Sequence, residues 1–148
     1  MQDKPATKPL KVMFLCTGNS CRSQMAEGFA RQYGKGLIEA YSAGTKPSFV
    51  HPMAILVMAE EGIDISSQQS KGIDIALLNQ MDVIITLCGD AEESCPMTPP
   101  HIKRMHWPIF DPAKLEGSKE TVMDGFRKAR DKIKEEVLRL VQGFGQRV

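Results

Sequence analysis

The stretch Cys16-Thr17-Gly18-Asn19-Ser20-Cys21-Arg22-Ser23 concentrates the chemistry of this chain. A cysteine leaves a short apolar run, Val12 to Leu15. After five intervening residues an arginine opens a helical pattern at Met25, Ala26, Phe29, Ala30 and Tyr33. Strand, glycine-bearing turn and helix start in that order make a cradle for an oxyanion, because N–H groups of the turn and of the first helical turn converge on one spot. The same field favours a thiolate at Cys16 over a thiol. Gly18, and less readily Asn19, accept the left-handed backbone angles of a concave turn. Arg22 adds a planar fork that grips two oxygens of a tetrahedral anion. Ser23 offers a hydroxyl to the sulfur, and Thr17, Ser20 and Cys21 complete the turn. The spacing alone is a weak signal in a chain with four cysteines; its flanking strand and helix make it specific.

A thiolate in an anion cradle suits nucleophilic attack on a tetrahedral oxyanion. On a phosphate ester, Cys16 forms a thiophosphate that water hydrolyses. On arsenate, it forms an adduct that a second thiol can break reductively. Cys88, at the end of the apolar run Val83 to Leu87, and Cys95 favour the second reaction. A Cys88 thiolate attacking the Cys16 sulfur pushes two electrons onto arsenic and releases arsenite; Cys95 then attacks Cys88, freeing Cys16. Gly89 and the acidic residues between Cys88 and Cys95 predict a solvent-facing, mobile loop that must bend for the two sulfurs to meet. Hydrolysis by a phosphatase on the same scaffold is the alternative, and it leaves Cys88 and Cys95 without a role. A zinc site from the four cysteines lacks the C-x2-C pairing it needs.

Asp111, ahead of Pro112, is the candidate acid for the departing oxygen, although Asp-Pro also starts simple turns. His106 beside Trp107 reads as packing, and His51 ahead of Pro52 as a helix cap.

These residues need a frame to hold them. The runs Leu10–Leu15, Leu37–Ala43, Asp82–Leu87 and Lys103–Trp107 are expected to be strands. Helical patterns lie after the cradle, from His51 to Gly62, briefly around Ile73–Leu78, and from Ser118 onward. The last has a stripe at Val122, Phe126, Ala129, Ile133, Val137, Leu140 and Val141. Strands alternating with helices give an α/β fold with a parallel sheet. Ligands then bind at the carboxyl ends of the strands, where Cys16 and Cys88 both fall. The 148 residues, 42% hydrophobic with net charge +1, suit one soluble domain at 10–148 behind a flexible leader at 1–9. That balance offers no surface for nucleic acid, and no apolar run reaches the ~18 residues of a membrane span. With no export signal the expected compartment is the cytoplasm, where stable disulfides are rare.

The segments Cys16 to Glu27 (CTGNSCRSQMAE), Tyr41-Ser42-Ala43-Gly44, Thr86 to Asp90 (TLCGD), Cys95-Pro96, His106-Trp107 and Asp111-Pro112-Ala113 resemble the thioredoxin-coupled arsenate reductases, in order and with compatible spacing. The likeness covers nearly the whole chain after the leader. It implies the fold of the low-molecular-weight protein tyrosine phosphatases, a single α/β domain with a four-stranded parallel sheet flanked by helices. It further implies Cys16 as nucleophile, Arg22 as oxyanion clamp, Cys88 and Cys95 as the redox disulfide pair, and Asp111 as acid. Arsenate is then the substrate, with phosphate or sulfate as analogues; thioredoxin is the reductant, arsenic detoxification the role, and a monomer the working form. No metal is expected except a potassium ion, which the resemblance places near Asn19, Glu27, Ser42 and an aspartate. Lys71 stands at the position of that aspartate, so its ammonium is expected to take the cation's place, bonding toward Glu27 and Asn19.

Overall fold

The computed structural model describes residues 8–145. Residues 1–7 of the leader expected at 1–9, and the last residues of the expected domain, 146–148, lie outside the described residues. In chain order the elements are β1 (Leu10–Cys16), α1 (Arg22–Tyr33), β2 (Ile38–Gly44), α2 (Pro52–Ala59), α3 (Ile75–Leu78), β3 (Val83–Thr86), α4 (Gly89–Ser94), β4 (Lys103–His106) and α5 (Lys119–Gly145). A single 3-10 turn, Pro112–Lys114, sits before α5. The four strands form one parallel sheet in the order β2-β1-β3-β4. Cys16 pairs with Gly44, Leu15 with Thr86, and Thr86 with His106, so the strands all end on one rim.

Helices cover both faces of the sheet, which is why β1 is apolar without alternation. Val12, Phe14 and Cys16 turn toward a core shared with Met25, Phe29 and Phe126, from α1 and α5. Met13 and Leu15 turn the other way, onto Leu78, Met81 and Ala91. The stripe expected on α5 is the buried one: Phe126, Ala129, Ile133 and Val137 are fully covered, with Val122, Leu140 and Val141 packed beside them. Each large apolar side chain withdrawn from water contributes about 1.5–3 kcal/mol. This face therefore anchors the β4–α5 connection that carries Asp111. Ser118 caps α5, its Oγ accepting from Thr121 N at 3.1 Å. His51 caps α2, with Nδ1 accepting from Met53 N at 3.1 Å.

Two expectations are corrected. The segment between Cys88 and Cys95 is not an open loop but the helix α4. Cys88 caps it through Sγ, which accepts from Ala91 N at 3.3 Å, and Ala91 is buried against the sheet. One apolar residue in this run suffices to seat the helix and is too few to show a period. The pair His106-Trp107 also divides: Trp107 packs on Phe14 with ring centroids 5.9 Å apart, whereas His106 is exposed and its Nδ1 lies 2.8 Å from Thr86 Oγ1.

Candidate active site

The turn from Cys16 to Arg22 owes its shape to what holds its carbonyl oxygens. Cys16 O accepts from Thr45 N, Thr17 O from Lys46 N, Gly18 O from Ser48 N and Ser70 Oγ, Asn19 O from Gln24 Nε2, Ser20 O from His51 N, and Cys21 O from Met25 N. All described peptide bonds are trans. In a trans peptide the next residue's N–H points opposite the carbonyl. Carbonyls drawn outward therefore aim the N–H groups of Gly18, Asn19, Ser20 and Cys21 into the concave side. Asn19 takes the left-handed conformation, φ 47°, that closes the turn. Such a backbone costs a non-glycine residue about 1–3 kcal/mol. The Asn19 side chain helps offset that cost, with Nδ2 donating to Ser23 Oγ at 2.8 Å and Oδ1 accepting from Lys71 N at 2.7 Å.

Gly44 closes the motif Tyr41-Ser42-Ala43-Gly44, and its role is steric. A Cβ there would lie 2.6 Å from Thr17 O and 2.7 Å from Asn19 N. The end of β2 can sit under the cradle only as glycine; Ser-Ala-Gly closing a strand was the available signal.

Cys16 Sγ lies at the floor, 2.9 Å from Ser23 Oγ. Arg22 is almost fully buried and donates through Nη1 to Ile109 O at 3.0 Å, while Nη2 faces Asp111 Oδ2 at 3.5 Å. The two readings of Asp111 belong to its two oxygens: Oδ1 starts the 3-10 turn, accepting from Ala113 N at 3.0 Å, and Oδ2 faces the arginine. Cys88 Sγ lies 3.3 Å from Thr17 Oγ1, which ties the second thiol to the cradle. A cavity of about 470 Å³ is lined by Cys16, Arg22, Cys88 and Asp111, with His51 and Lys114 on its wall. A larger one, about 630 Å³, lies at the opposite end of the strands against Leu10, Val83 and Trp107 and contains none of the cysteines. Burial holds the His51 imidazole below its usual pKa, with Asp111 pulling the other way.

Cys21 and Cys95 stand apart. The Cys21 thiol is buried behind the turn, and burial pushes it up to about 12. Cys95 terminates α4 and packs on the opposite core. At 1.5 Å per residue its Cα lies roughly 10 Å along the helix from that of Cys88, beyond the ~7 Å a disulfide spans. No cysteine is in a disulfide.

Beneath the cradle, Glu27 is buried and meets Arg31 Nη2 and Ser42 Oγ, each at 2.5 Å, and Lys71 Nζ at 3.9 Å. The ammonium of Lys71 thus reaches Glu27 but not Asn19 as expected. It donates to Gln69 O at 2.7 Å, and the bond to Asn19 comes from the Lys71 backbone. The cause is chain direction: the segment passes Asn19 with its amide, leaving the side chain to fold outward. Burial lowers the Lys71 pKa, against the pull of Glu27.

Residues 11–148 match the low molecular weight phosphotyrosine protein phosphatase family. The chain belongs to that family. Within the family its similarity runs to arsenate reductases. That of Bacillus subtilis (strain 168) is 52% identical over 122 residues, 82% of this chain and 88% of the relative. A solved arsenate reductase in the phosphate-binding state matches with a TM-score of 0.75 at 40% identity, covering 91% of this chain and 98% of that one. A thioredoxin-dependent arsenate reductase of Corynebacterium glutamicum gives 0.76 at 26% identity, over 97% of this chain and 66% of its own. The expected fold, a four-stranded parallel sheet flanked by helices, is the observed one.

Proposed function

We propose that the chain reduces arsenate to arsenite through a thiol relay with thioredoxin as reductant. The observation that carries this reading is the presence of Cys16 and Cys88 on one cavity with Arg22 and Asp111, the two thiols joined through Thr17. The Cys16 thiolate displaces one hydroxyl from arsenate, held by the turn and Arg22, and Asp111 Oδ2 supplies the proton with which it leaves as water. Cys88 then attacks the Cys16 sulfur. The S–As bond breaks with its electron pair passing to arsenic, and arsenite departs. Cys95 attacks Cys88, frees Cys16 and leaves a Cys88–Cys95 disulfide, which a dithiol partner reduces with two electrons and two protons. That last exchange requires α4 to unwind, because the helix holds the sulfurs too far apart.

Hydrolysis of a phosphate ester is the second reading, favoured by the family match and by a cradle both reactions share. Thioredoxin-dependent NADPH consumption with arsenate separates the two. Parent activity is expected, with loss on changing Cys16, Cys88 or Cys95 to serine; full activity of Cys88→Ser rejects the relay.

Lys71 and Arg31 supply the positive charge at Glu27, and Asn19 Oδ1 and Ser42 Oγ are both engaged by protein partners. Two protein cations already neutralise Glu27, which supports a cation-independent enzyme. The same assay in potassium and in tetramethylammonium buffer should give equal rates, and strong activation by potassium would overturn the idea. Among the described residues no helix is long and apolar enough to cross a membrane. A cytoplasmic monomer suits the relay, because a reducing compartment returns its thiols after each turnover.

A further inference from the structure

We propose that Gln24 is a positioning residue of the anion cradle: its side-chain amide fixes the Asn19–Ser20 peptide so that the Ser20 N–H faces the anion. Among the described residues, the other carbonyls from Cys16 to Cys21 each take a backbone N–H, whereas Asn19 O takes the Gln24 Nε2 at 2.9 Å. The second Nε2 hydrogen goes to Gln69 O at 2.9 Å. With two carbonyl oxygens before it, the amide nitrogen must face them, and Oε1 must face away. Gln68 holds it so, its Nε2 donating to Gln24 Oε1 at 2.7 Å and to Gln24 O at 3.1 Å. Gln24 itself is wholly buried.

The peptide it holds is, among the described residues, the one in the turn whose carbonyl rests on a side chain and on no backbone N–H. Turning that peptide over changes ψ of Asn19 and φ of Ser20 and leaves the other peptides of the turn in place. Without the Gln24 donor, Asn19 O is left buried and unpaired, a cost relieved by rotating that oxygen into the pocket. The rotation removes one donor and adds one acceptor where the anion must sit. Gln24 acts through the Ser20 peptide and does not touch the anion.

The inference rests on the cradle as an anion site, and inorganic phosphate tests it without any turnover. Calorimetric titration of the reduced full chain with phosphate is expected to show binding about tenfold to a hundredfold weaker in Gln24→Met, the worth of a hydrogen bond to a charged group. The arsenate kcat/KM should fall in parallel. Gln24→Glu should be as weak at pH 8 and should regain affinity relative to the parent as pH falls, because a protonated carboxyl donates again. The Met-to-parent ratio should stay flat over that range. Binding within twofold of the parent in a folded Gln24→Met, or equally flat ratios for Met and Glu, overturns the proposal. If Gln24→Met does not fold, Gln68→Leu decides: phosphate binding weakened about threefold supports the clamp, and unchanged affinity overturns it. A parent that binds phosphate but leaves arsenate unreduced sinks the reductase reading and leaves this test standing.

Discussion

The turn from Cys16 to Arg22 and the segment from Cys88 to Cys95 border the same cavity but are secured by different means. In the first, every carbonyl up to Cys21 has a partner, drawn from loops as distant in sequence as Ser48 and Ser70. The second is a six-residue helix seated by Ala91 and capped by a sulfur at 3.3 Å. Sulfur is a weak acceptor, and so short a helix has little stability of its own. Under the proposed relay the contrast follows from the tasks. Holding an anion needs N–H groups that do not move, whereas passing electrons outward needs a sulfur that travels.

That contrast breaks most visibly at Gly44. An alanine methyl there must displace the Thr17 carbonyl or the Asn19 amide. Gly44→Ala should lose phosphate binding by at least about a hundredfold. Overpacking of about 1–3 kcal/mol should lower Tm by roughly 2–12 °C. Parent-like phosphate affinity in that variant would mean that the cradle adapts to its surroundings, and the contrast fails. Oxidation should act on the other segment alone. Hydrogen exchange across 89–94 is expected to quicken by about tenfold or more when the Cys88–Cys95 disulfide forms, while cradle amides keep their protection. A helix that stays protected in the oxidised chain would remove the need for unwinding. The smallest effect concerns Cys21, whose thiol is held up at about 12 by burial. Ionisation rises with pH toward that value, so only about one in ten thousand Cys21 thiols is charged at pH 8. Iodoacetamide should label Cys88 and Cys95 and spare Cys21, as read by peptide mass. Labelling of Cys21 at the pace of Cys95 would show a cradle that opens.

Much of this was legible beforehand because it is local. A cysteine at a strand end, a turn with Gly18 and Asn19 and a helix at Met25 form one continuous pattern, and the α5 stripe has a clean period. Cys88 could be placed on the same rim because β3 is a short apolar run and parallel strands end together. What escaped depends on distance. Ser70 reaches the cradle across 52 positions and Gln68 reaches Gln24 across 44, both from a stretch that reads only as polar. Lys71 stands beside Glu27 but meets Asn19 through its backbone, since sequence does not say whether the backbone or the ammonium turns inward. Helix α4 was missed for want of a period.

A socket with its bore set by so many ties cannot stretch or shrink to tell one tetrahedral anion from another of nearly the same radius. Phosphate, almost the twin of arsenate in size and charge, will occupy it as a matter of course. Selection must then come after entry, from whether the central atom accepts an electron pair when sulfur leaves it: arsenic does, phosphorus does not. Discrimination here is a property of the bond that breaks and not of the hole that is filled.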